Sequence, residues 1–410
     1  MQILFLHPNF PAQFRHLLLA LRNDPRHQVV FLTQQQGKPL ANVQKVTYQV
    51  SRLPSEQTHS YIQDLEQSVL EGQAAYRRLL KLKETQGFYP DVIYAHSGWG
   101  LGLFMKDLFP KATYLCFCEW FYLARGSDAD FDPADPVDQE TAARLRILNA
   151  SLLIDLSSCD RALSPTHWQK QQFPSAFHSK ISVCHDGIDT TFFRPNTEHH
   201  KLVIEPDTPI ACPKRLVLSE MEEVVTYVAR GMEPYRGFPQ FMAAVAQLQR
   251  HRPNCHVVIV GKDWVAYGKN LPNGKTYRQQ ALETLDLDLS RIHFTGLLKY
   301  AEYLQVLQAS DVHVYLTYPF VLSWSMLEAM ATGCVVVGSR TQPVEEVIQD
   351  GVNGLLVDFF QPERIVERVI EVLEHPSKMQ TMRAQARQTI VDQYNLANLL
   401  PRHLEWIQVK

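Results

Sequence analysis

The stretch Asp311-Val312-His313-Val314-Tyr315-Leu316-Thr317, followed by Ser323-Trp324-Ser325-Met326-Leu327-Glu328-Ala329-Met330-Ala331, then Gly333 and Val335-Val336-Val337, decides the fold. An apolar run, a serine-rich turn, an apolar helix, a glycine stop and a second apolar run make one βαβ unit. A helix N-terminus offers unpaired N–H groups and a positive dipole end that suit a diphosphate. The Glu328 carboxylate, read as lying in the helix's first turn, can accept hydrogen bonds from a sugar diol. Ser325 and Glu328 also have the spacing of a capping box that serves only its own helix, and both readings stand at this point.

A second segment has the same logic. After the strand Val224-Val225-Thr226-Tyr227-Val228-Ala229 comes Arg230-Gly231-Met232-Glu233-Pro234-Tyr235-Arg236-Gly237, then a helix with Phe241, Ala244, Val245 and Leu248 on one face. Two cations flank a strand-to-helix turn at the carboxyl end of a parallel strand, where open α/β sheets bind ligands. Arg230 and Arg236 therefore read as an anion site rather than as solvated surface.

The alternation extends along 410 residues, long enough for two domains with full cores. Strands at residues 3–6, 29–32, 46–50, 91–94, 113–117, 162–164 and 181–183 alternate with helical stretches, the longest over about 55–83. From 192 to 223 the pattern dissolves into proline- and histidine-containing sequence, and a second set of strands follows at 224–229, 257–260, 292–294, 312–317, 335–338 and 355–357. We expect two Rossmann-like doubly wound α/β domains facing a cleft: an N-terminal domain over 1–195, a linker over 196–222 and a C-terminal domain over 223–390. A closing helix over 391–410 is expected to pack back on the first domain.

The net charge of −3 and the pI near 6.6, without a dense basic tract, exclude a nucleic-acid binder. The one local basic run, Arg77-Arg78-Leu79-Leu80-Lys81-Leu82-Lys83, reads as a solvated helix face, and peripheral membrane attachment is its minority reading. Seven cysteines, several within apolar runs such as Cys334-Val335-Val336-Val337, read as reduced core thiols of a cytoplasmic protein. Cys116 and Cys118 share a strand face but lack the further ligands of a zinc site. The chain opens on the strand Gln2-Ile3-Leu4-Phe5-Leu6, not on a signal peptide, and no run reaches the about 18 apolar residues of a membrane helix.

Taken with their context, these motifs resemble glycosyltransferase family 4 over nearly the whole chain. Arg230 and Arg236 resemble the family's arginine and lysine pair on the donor diphosphate. Glu328 in Leu-Glu-Ala-Met-Ala-Thr-Gly resembles its ribose-binding carboxylate, and Asp350-Gly351-Val352-Asn353-Gly354 and His185-Asp186-Gly187-Ile188-Asp189 follow its pattern too. His96-Ser97-Gly98-Trp99-Gly100 and Ser164-Pro165-Thr166-His167-Trp168-Gln169 look like a bacterial branch of it. The chain departs from the family in three places. A further family glutamate upstream of Glu328 falls at Phe320, the usual glycine-rich turn after the first strand is Pro8-Asn9-Phe10-Pro11-Ala12-Gln13, and a histidine common among relatives is replaced by Cys118-Glu119-Trp120.

The resemblance implies a GT-B fold and a retaining, metal-independent hexosyltransferase with no cofactor. It would move a sugar from a UDP- or GDP-linked donor to a hydroxyl acceptor, for example in polysaccharide biosynthesis. Arg230, Arg236, Ser323, Trp324, Ser325, Glu328 and Leu297 would form the donor site, with Glu119 and His96 as catalytic candidates. His96 equally fits a structural histidine, and Trp324 ordinary packing; Lys262, Asp263 and Trp264 border the nucleotide. A non-catalytic nucleotide-sugar-binding partner subunit, and less well a GT-B sugar-nucleotide epimerase, are the rival readings. Gly98-Trp99-Gly100-Leu101-Gly102 has the wrong spacing for a dinucleotide fingerprint. Asp128, Asp130, Asp132, Asp135 and Asp138 lie in an acidic loop without an EF-hand pattern, read as solvated sequence near the acceptor.

Overall fold

Every segment read as a strand forms one, with ends displaced by a few residues. The protein is described here by a computed structural model covering residues 1–196, 203–204 and 216–408. The chain divides into two units, Met1–Asp186 with Ala397–Lys410, and Gly187–Leu396.

Unit 1 is a seven-stranded parallel sheet of β1 (Gln2–Leu6), β2 (Gln28–Thr33), β3 (Gln44–Thr47), β4 (Val92–His96), β5 (Thr113–Phe117), β6 (Arg161–Ser164) and β7 (Ile181–Val183). Its order is β3-β2-β1-β4-β5-β6-β7, so the winding direction reverses between β1 and β4. Strand β1 shows why these runs are continuously apolar. Leu4 and Leu6 face one cluster, with Leu79 and Leu82 of the helix Gln63–Gln86, while Ile3 and Phe5 face another, with Phe14 and Leu18. Each such side chain contributes about 1.5–3 kcal/mol on full burial. The long helix starts later than the periodicity suggested. Residues 55–62 instead form turns held by the Glu66 carboxylate, which accepts the Ser55 N–H at 3.2 Å and the Thr58 hydroxyl.

In unit 2, β10 (Glu223–Gly231), β11 (Cys255–Lys262), β12 (Ile292–Gly296), β13 (Val312–Tyr315), β14 (Val335–Ser339) and β15 (Leu355–Val357) follow a short antiparallel pair, β8 (Val203–Ile204) and β9 (Leu216–Val217). The six longer-range partners form one parallel sheet in the order β12-β11-β10-β13-β14-β15, reversing between β10 and β13. The predicted helix face is buried as expected, with Phe241, Ala244, Val245 and Leu248 inward on Phe238–His251.

The unit boundary falls within His185-Asp186-Gly187-Ile188-Asp189, ahead of the 195 expected from sequence. Residues 188–193 belong to unit 2 because Ile188 bridges to Asn395 and Arg387 Nη donates to the carbonyls of Thr190 at 3.2 Å and Phe193 at 3.1 Å. Much of the 196–222 segment lies outside the described residues. Its described part carries the β8–β9 pair and a 3₁₀ turn over Leu218–Glu220, anchored because Leu216 and Leu218 are buried against Val224, Val258 and Val306. The last helix, Leu396–Gln408, packs within unit 1, with Trp406 5.4 Å from Tyr94 and His403 Nε2 2.9 Å from the His185 carbonyl.

Candidate functional site

Parallel sheets place ligands beyond the carboxyl ends of the strands, at the point where winding reverses. In unit 2 that point is the end of β10 beside β13, and both sequence-read motifs converge on it. Strand β10 runs out at Gly231, a 3₁₀ turn over Pro234–Arg236 follows, and Gly237 at φ +64° begins the helix Phe238–His251. Only glycine fits there, since a Cβ would stand 2.4 Å from that of Leu316.

This turn inserts the Arg236 side chain into the sheet end. It is 5% exposed, and Nη1 donates to Thr317 Oγ1 at 2.8 Å, the Val321 carbonyl at 3.0 Å and the Tyr315 hydroxyl at 3.3 Å. Its guanidinium lies over the rings of Tyr267 at 5.4 Å and Phe320 at 5.9 Å. Burial works against its charge, but the fields of Tyr315, Tyr267 and Glu233 outweigh it and hold the group protonated. Among the described residues no carboxylate lies within ion-pair distance of Arg236 or Arg230. Arg230 is exposed, stacked over Trp264 at 5.7 Å and Tyr267 at 6.0 Å. A buried cation with no carboxylate within ion-pair distance is suited to receive an anion.

Tyr315 joins this turn to the helix Trp324–Thr332, because its hydroxyl also accepts the Ser323 N–H at 2.9 Å. Ser323 is the N-cap, its hydroxyl accepting the Ser325 N–H at 3.3 Å. The Ser325–Glu328 capping box therefore does not form, and Glu328 lies beyond the first turn rather than in it. Instead Glu328, 6% exposed, accepts the Tyr303 hydroxyl at 2.8 Å. Burial pushes its carboxyl up to about 7 against the opposing bond from Tyr303. Trp324 packs against the core cluster around Met326 and Leu327. Leu297 stands exposed after β12, two strands from β10.

Phe320 stands where the family resemblance led us to expect a glutamate. It is 8% exposed, edge-on to Tyr235 at 5.4 Å and Tyr267 at 5.2 Å, and forms an apolar wall beside Arg236.

The Glu328 carboxyl carries a prediction. Its native pKa exceeds the ordinary 4.5, so the folded protein binds more protons than the unfolded chain between about 4.5 and 7. Its contribution to stability is present below that window and is lost as pH rises through it. Diol binding needs the ionised form, so nucleotide affinity in the wild type should fall by up to about tenfold per pH unit below 7. Glu328→Gln should cost about 1.5–3 kcal/mol of affinity at high pH and flatten this dependence. Calorimetric titrations with UDP below and above pH 7 decide it, and identical profiles for the two proteins refute the assignment.

A second constellation occupies the reversal point of unit 1. His7 follows β1, His96 ends β4 and Glu119 follows β5. His96 Nε2 lies 3.3 Å from Glu119 Oε2, Gln13 Nε2 donates to Glu119 Oε1 at 3.1 Å, and His96 Nδ1 lies 3.1 Å from the Ser97 carbonyl. Burial raises the Glu119 carboxyl, but bonds from His96 and Gln13 more than compensate and leave it below the usual range. His7 packs edge-on to His96 at 5.0 Å; burial, then the charge of His96, lower it to about 3, and its Nδ1 accepts the Asn9 N–H at 2.9 Å. Trp99, 48% exposed, stands 5.9 Å from His7 between Gly98 at φ +93° and Gly100 at φ +82°. The turn that aims it is held by buried Asp155, which accepts the Ser97 hydroxyl at 3.0 Å and the Tyr114 hydroxyl at 2.8 Å. Burial raises Asp155 to about 6.

Sequence reasoning named Glu119 and His96 and missed His7, Gln13 and Asp155; in unit 2 it missed Tyr303, Tyr315 and Thr317. Strand-end position was the available signal for His7, Tyr315 and Thr317. The acidic loop is occupied locally, with Asp130 accepting the Gly126 N–H at 2.9 Å and Asp138 capping the helix Gln139–Leu148. Among the described residues no group of three or more side chains could hold a metal ion, and no helix is long and apolar enough to cross a membrane. The basic run lies on the helix Gln63–Gln86, where Arg77, Arg78 and Lys81 line a surface cavity of about 390 Å³ with Tyr48. Five of the six described cysteines are buried and all six are free thiols.

Known proteins resemble both halves of the chain. The model of the glycosyl transferase family 4 group matches residues 25–193, and that of glycosyl transferases group 1 matches residues 212–389. D-inositol 3-phosphate glycosyltransferase of Segniliparus rotundus is 26% identical over 212 residues, 52% of this chain and 43% of that protein, so the match spans less than half of that relative. Among solved structures, Anabaena HepE in complex with UDP-glucose superposes with a TM-score of 0.67 at 16% identity, covering 99% of this chain and 98% of that one. Sucrose-phosphate synthase from Thermosynechococcus elongatus gives 0.70 at 16%, with the same coverage. These structural likenesses define the fold as GT-B. With both halves matched in sequence and both sheets wound alike, the chain belongs to the glycosyltransferase family 4 group.

Proposed function

We propose that the protein transfers a hexose from a nucleoside diphosphate donor to a hydroxyl acceptor, with retention at the anomeric carbon and without a divalent metal. The observation that carries this reading is Arg236, buried at the reversal point of unit 2 with no carboxylate partner among the described residues. Negative charge grows on the diphosphate as the bond to the anomeric carbon breaks. Arg230, Arg236 and the N-terminus of the helix beginning at Trp324 stabilise that charge more in the transition state than in the ground state. Glu328 holds the ribose diol. Glu119, kept ionised by its partners and with 32% of its side chain exposed, accepts a hydrogen bond from a substrate hydroxyl while His96 fixes its orientation. Retention is taken from the family resemblance. A UDP-sugar is the first donor to test, because HepE is described in complex with UDP-glucose. The hydroxyl acceptor in this reading is a glycan, a lipid, a polysaccharide precursor or a small molecule met in the cytoplasm, and the basic helix face reads first as solvated surface, with peripheral membrane contact as its minority role.

A donor library screened for binding, followed by product analysis with and without acceptor, tests this reading. Chelator is expected to leave transfer unchanged, since cationic side chains serve the diphosphate. Loss of transfer with EDTA and rescue by magnesium or manganese would return attention to the acidic loop.

Phe320 favours one rival, a non-catalytic nucleotide-sugar binder. An apolar ring beside the sugar penalises an unpaired hydroxyl and tolerates a deoxy edge. We therefore expect the wild type to transfer deoxy sugars better than matched hydroxy donors, and Phe320→Glu to reverse the preference. Transfer seen only in Phe320→Glu would establish the binding-protein reading instead.

A further inference from the structure

Glu233 is 0% exposed, and its field on Arg236 does not account for the contacts its carboxylate makes. It lies in the turn between the two arginines, but its carboxylate reaches the loop that follows β11. Oε2 accepts three consecutive backbone N–H groups, from Ala266 at 3.0 Å, Tyr267 at 2.8 Å and Gly268 at 2.9 Å, while Oε1 has no hydrogen-bond partner. Successive amides converging on one oxygen make an anion-binding nest, here filled by the protein's own carboxylate. The bond spans residues more than thirty positions apart and ties the arginine turn to residues 264–268.

That loop presents aromatic faces to the cations. Tyr267 covers Arg236 at 5.4 Å and Arg230 at 6.0 Å; Trp264 covers Arg230 at 5.7 Å and Lys262 at 4.8 Å, and its indole N–H donates to the Arg230 carbonyl at 2.9 Å. Both rings stay substantially exposed, at 41% for Tyr267 and 38% for Trp264, so apolar burial alone does not explain their placement. Aromatic faces engage guanidinium planes and leave the N–H edges free for phosphate oxygens, and they hold two like charges in one frame.

We propose that Glu233 is a positioning residue for the nucleoside diphosphate: it anchors the 264–268 loop so that Tyr267 and Trp264 hold Arg230 and Arg236 in the binding geometry. The inference rests on the diphosphate reading of the arginine turn. It goes further in assigning the preorganisation of that site to a carboxylate that never touches the ligand.

The test combines hydrogen exchange with calorimetric titration of UDP and GDP in the full chain. In Glu233→Ala the amides of 266–268 should lose protection, and nucleotide affinity should fall roughly ten- to a hundredfold. Glu233→Gln should retain most of both, since its amide oxygen can take the place of Oε2 and its NH2 the place of the unpartnered Oε1. Tyr267→Ala, at a half-exposed position, should lose affinity as Glu233→Ala does. The proposal is overturned by wild-type affinity in Glu233→Ala with the loop deprotected, by equal loss in Glu233→Gln and Glu233→Ala, or by normal binding in Tyr267→Ala. Should Glu233→Ala not fold, the other two variants still decide. A wild type that binds neither UDP nor GDP would refute the diphosphate reading itself, and this inference with it.

Discussion

Arg236→Ala should lose about 2–5 kcal/mol of nucleoside diphosphate affinity, the usual consequence of truncating one side of a desolvated charged contact. At about 1.4 kcal/mol per decade this is roughly thirtyfold to several-thousandfold. Turnover should fall in parallel, because the same contact stabilises the departing diphosphate. The fold should be little affected: truncation strands the Val321 carbonyl but also removes a buried charge that, among the described residues, has no carboxylate within ion-pair distance. Arg236→Lys should recover only part of the loss, since an ammonium cannot reproduce a planar fork whose Nη1 is set by Thr317, Tyr315 and Val321. Arg230→Ala should weaken binding less and in a salt-dependent way, as befits an exposed cation. Unchanged UDP affinity in Arg236→Ala by calorimetry would remove the phosphate role from the turn.

Glu119→Gln should lower kcat by about 10²–10⁴ while leaving UDP affinity unaltered. The expected split follows from location, because Glu119 belongs to unit 1 and the nucleotide residues to unit 2. Glutamine keeps the shape and the bond to Gln13 or His96 in one orientation, but not the charge. Since the native Glu119 carboxyl lies below its ordinary range, it should stay ionised through neutral pH, whereas the loss of nucleotide affinity as pH falls through 7 belongs to Glu328. Wild-type kcat in Glu119→Gln would reduce the His96–Glu119 pair to a structural ion pair.

Much of the architecture was legible because it rests on local rules. Val335-Val336-Val337 could only be a strand covered on both faces, Gly333 stops its helix at φ +82°, and the alternation of such units implies a parallel doubly wound sheet. The spacing of Arg230 and Arg236 around a strand-to-helix turn is enough to place two cations at a sheet end.

What the local rules could not separate, long-range contacts did. Ser325 and Glu328 matched a capping box as well as a ligand site; the structure puts the cap at Ser323 and gives Glu328 to Tyr303, 25 residues earlier in the chain. His7, His96 and Glu119 meet only because β1, β4 and β5 lie side by side in register, and register is fixed by the packing of both sheet faces. The unit boundary moved to Gly187 because Arg387 and Asn395, two hundred residues away, hold the segment before the predicted linker. Thus the sequence by itself determined the strands, the winding and the strand ends at which chemistry gathers, since period, glycine stops and charge at a turn are properties of neighbouring residues. The partners of Glu328, Glu119 and Glu233 were decided only by the tertiary structure. A buried carboxylate must be satisfied by whatever donors the packing of distant elements brings within reach.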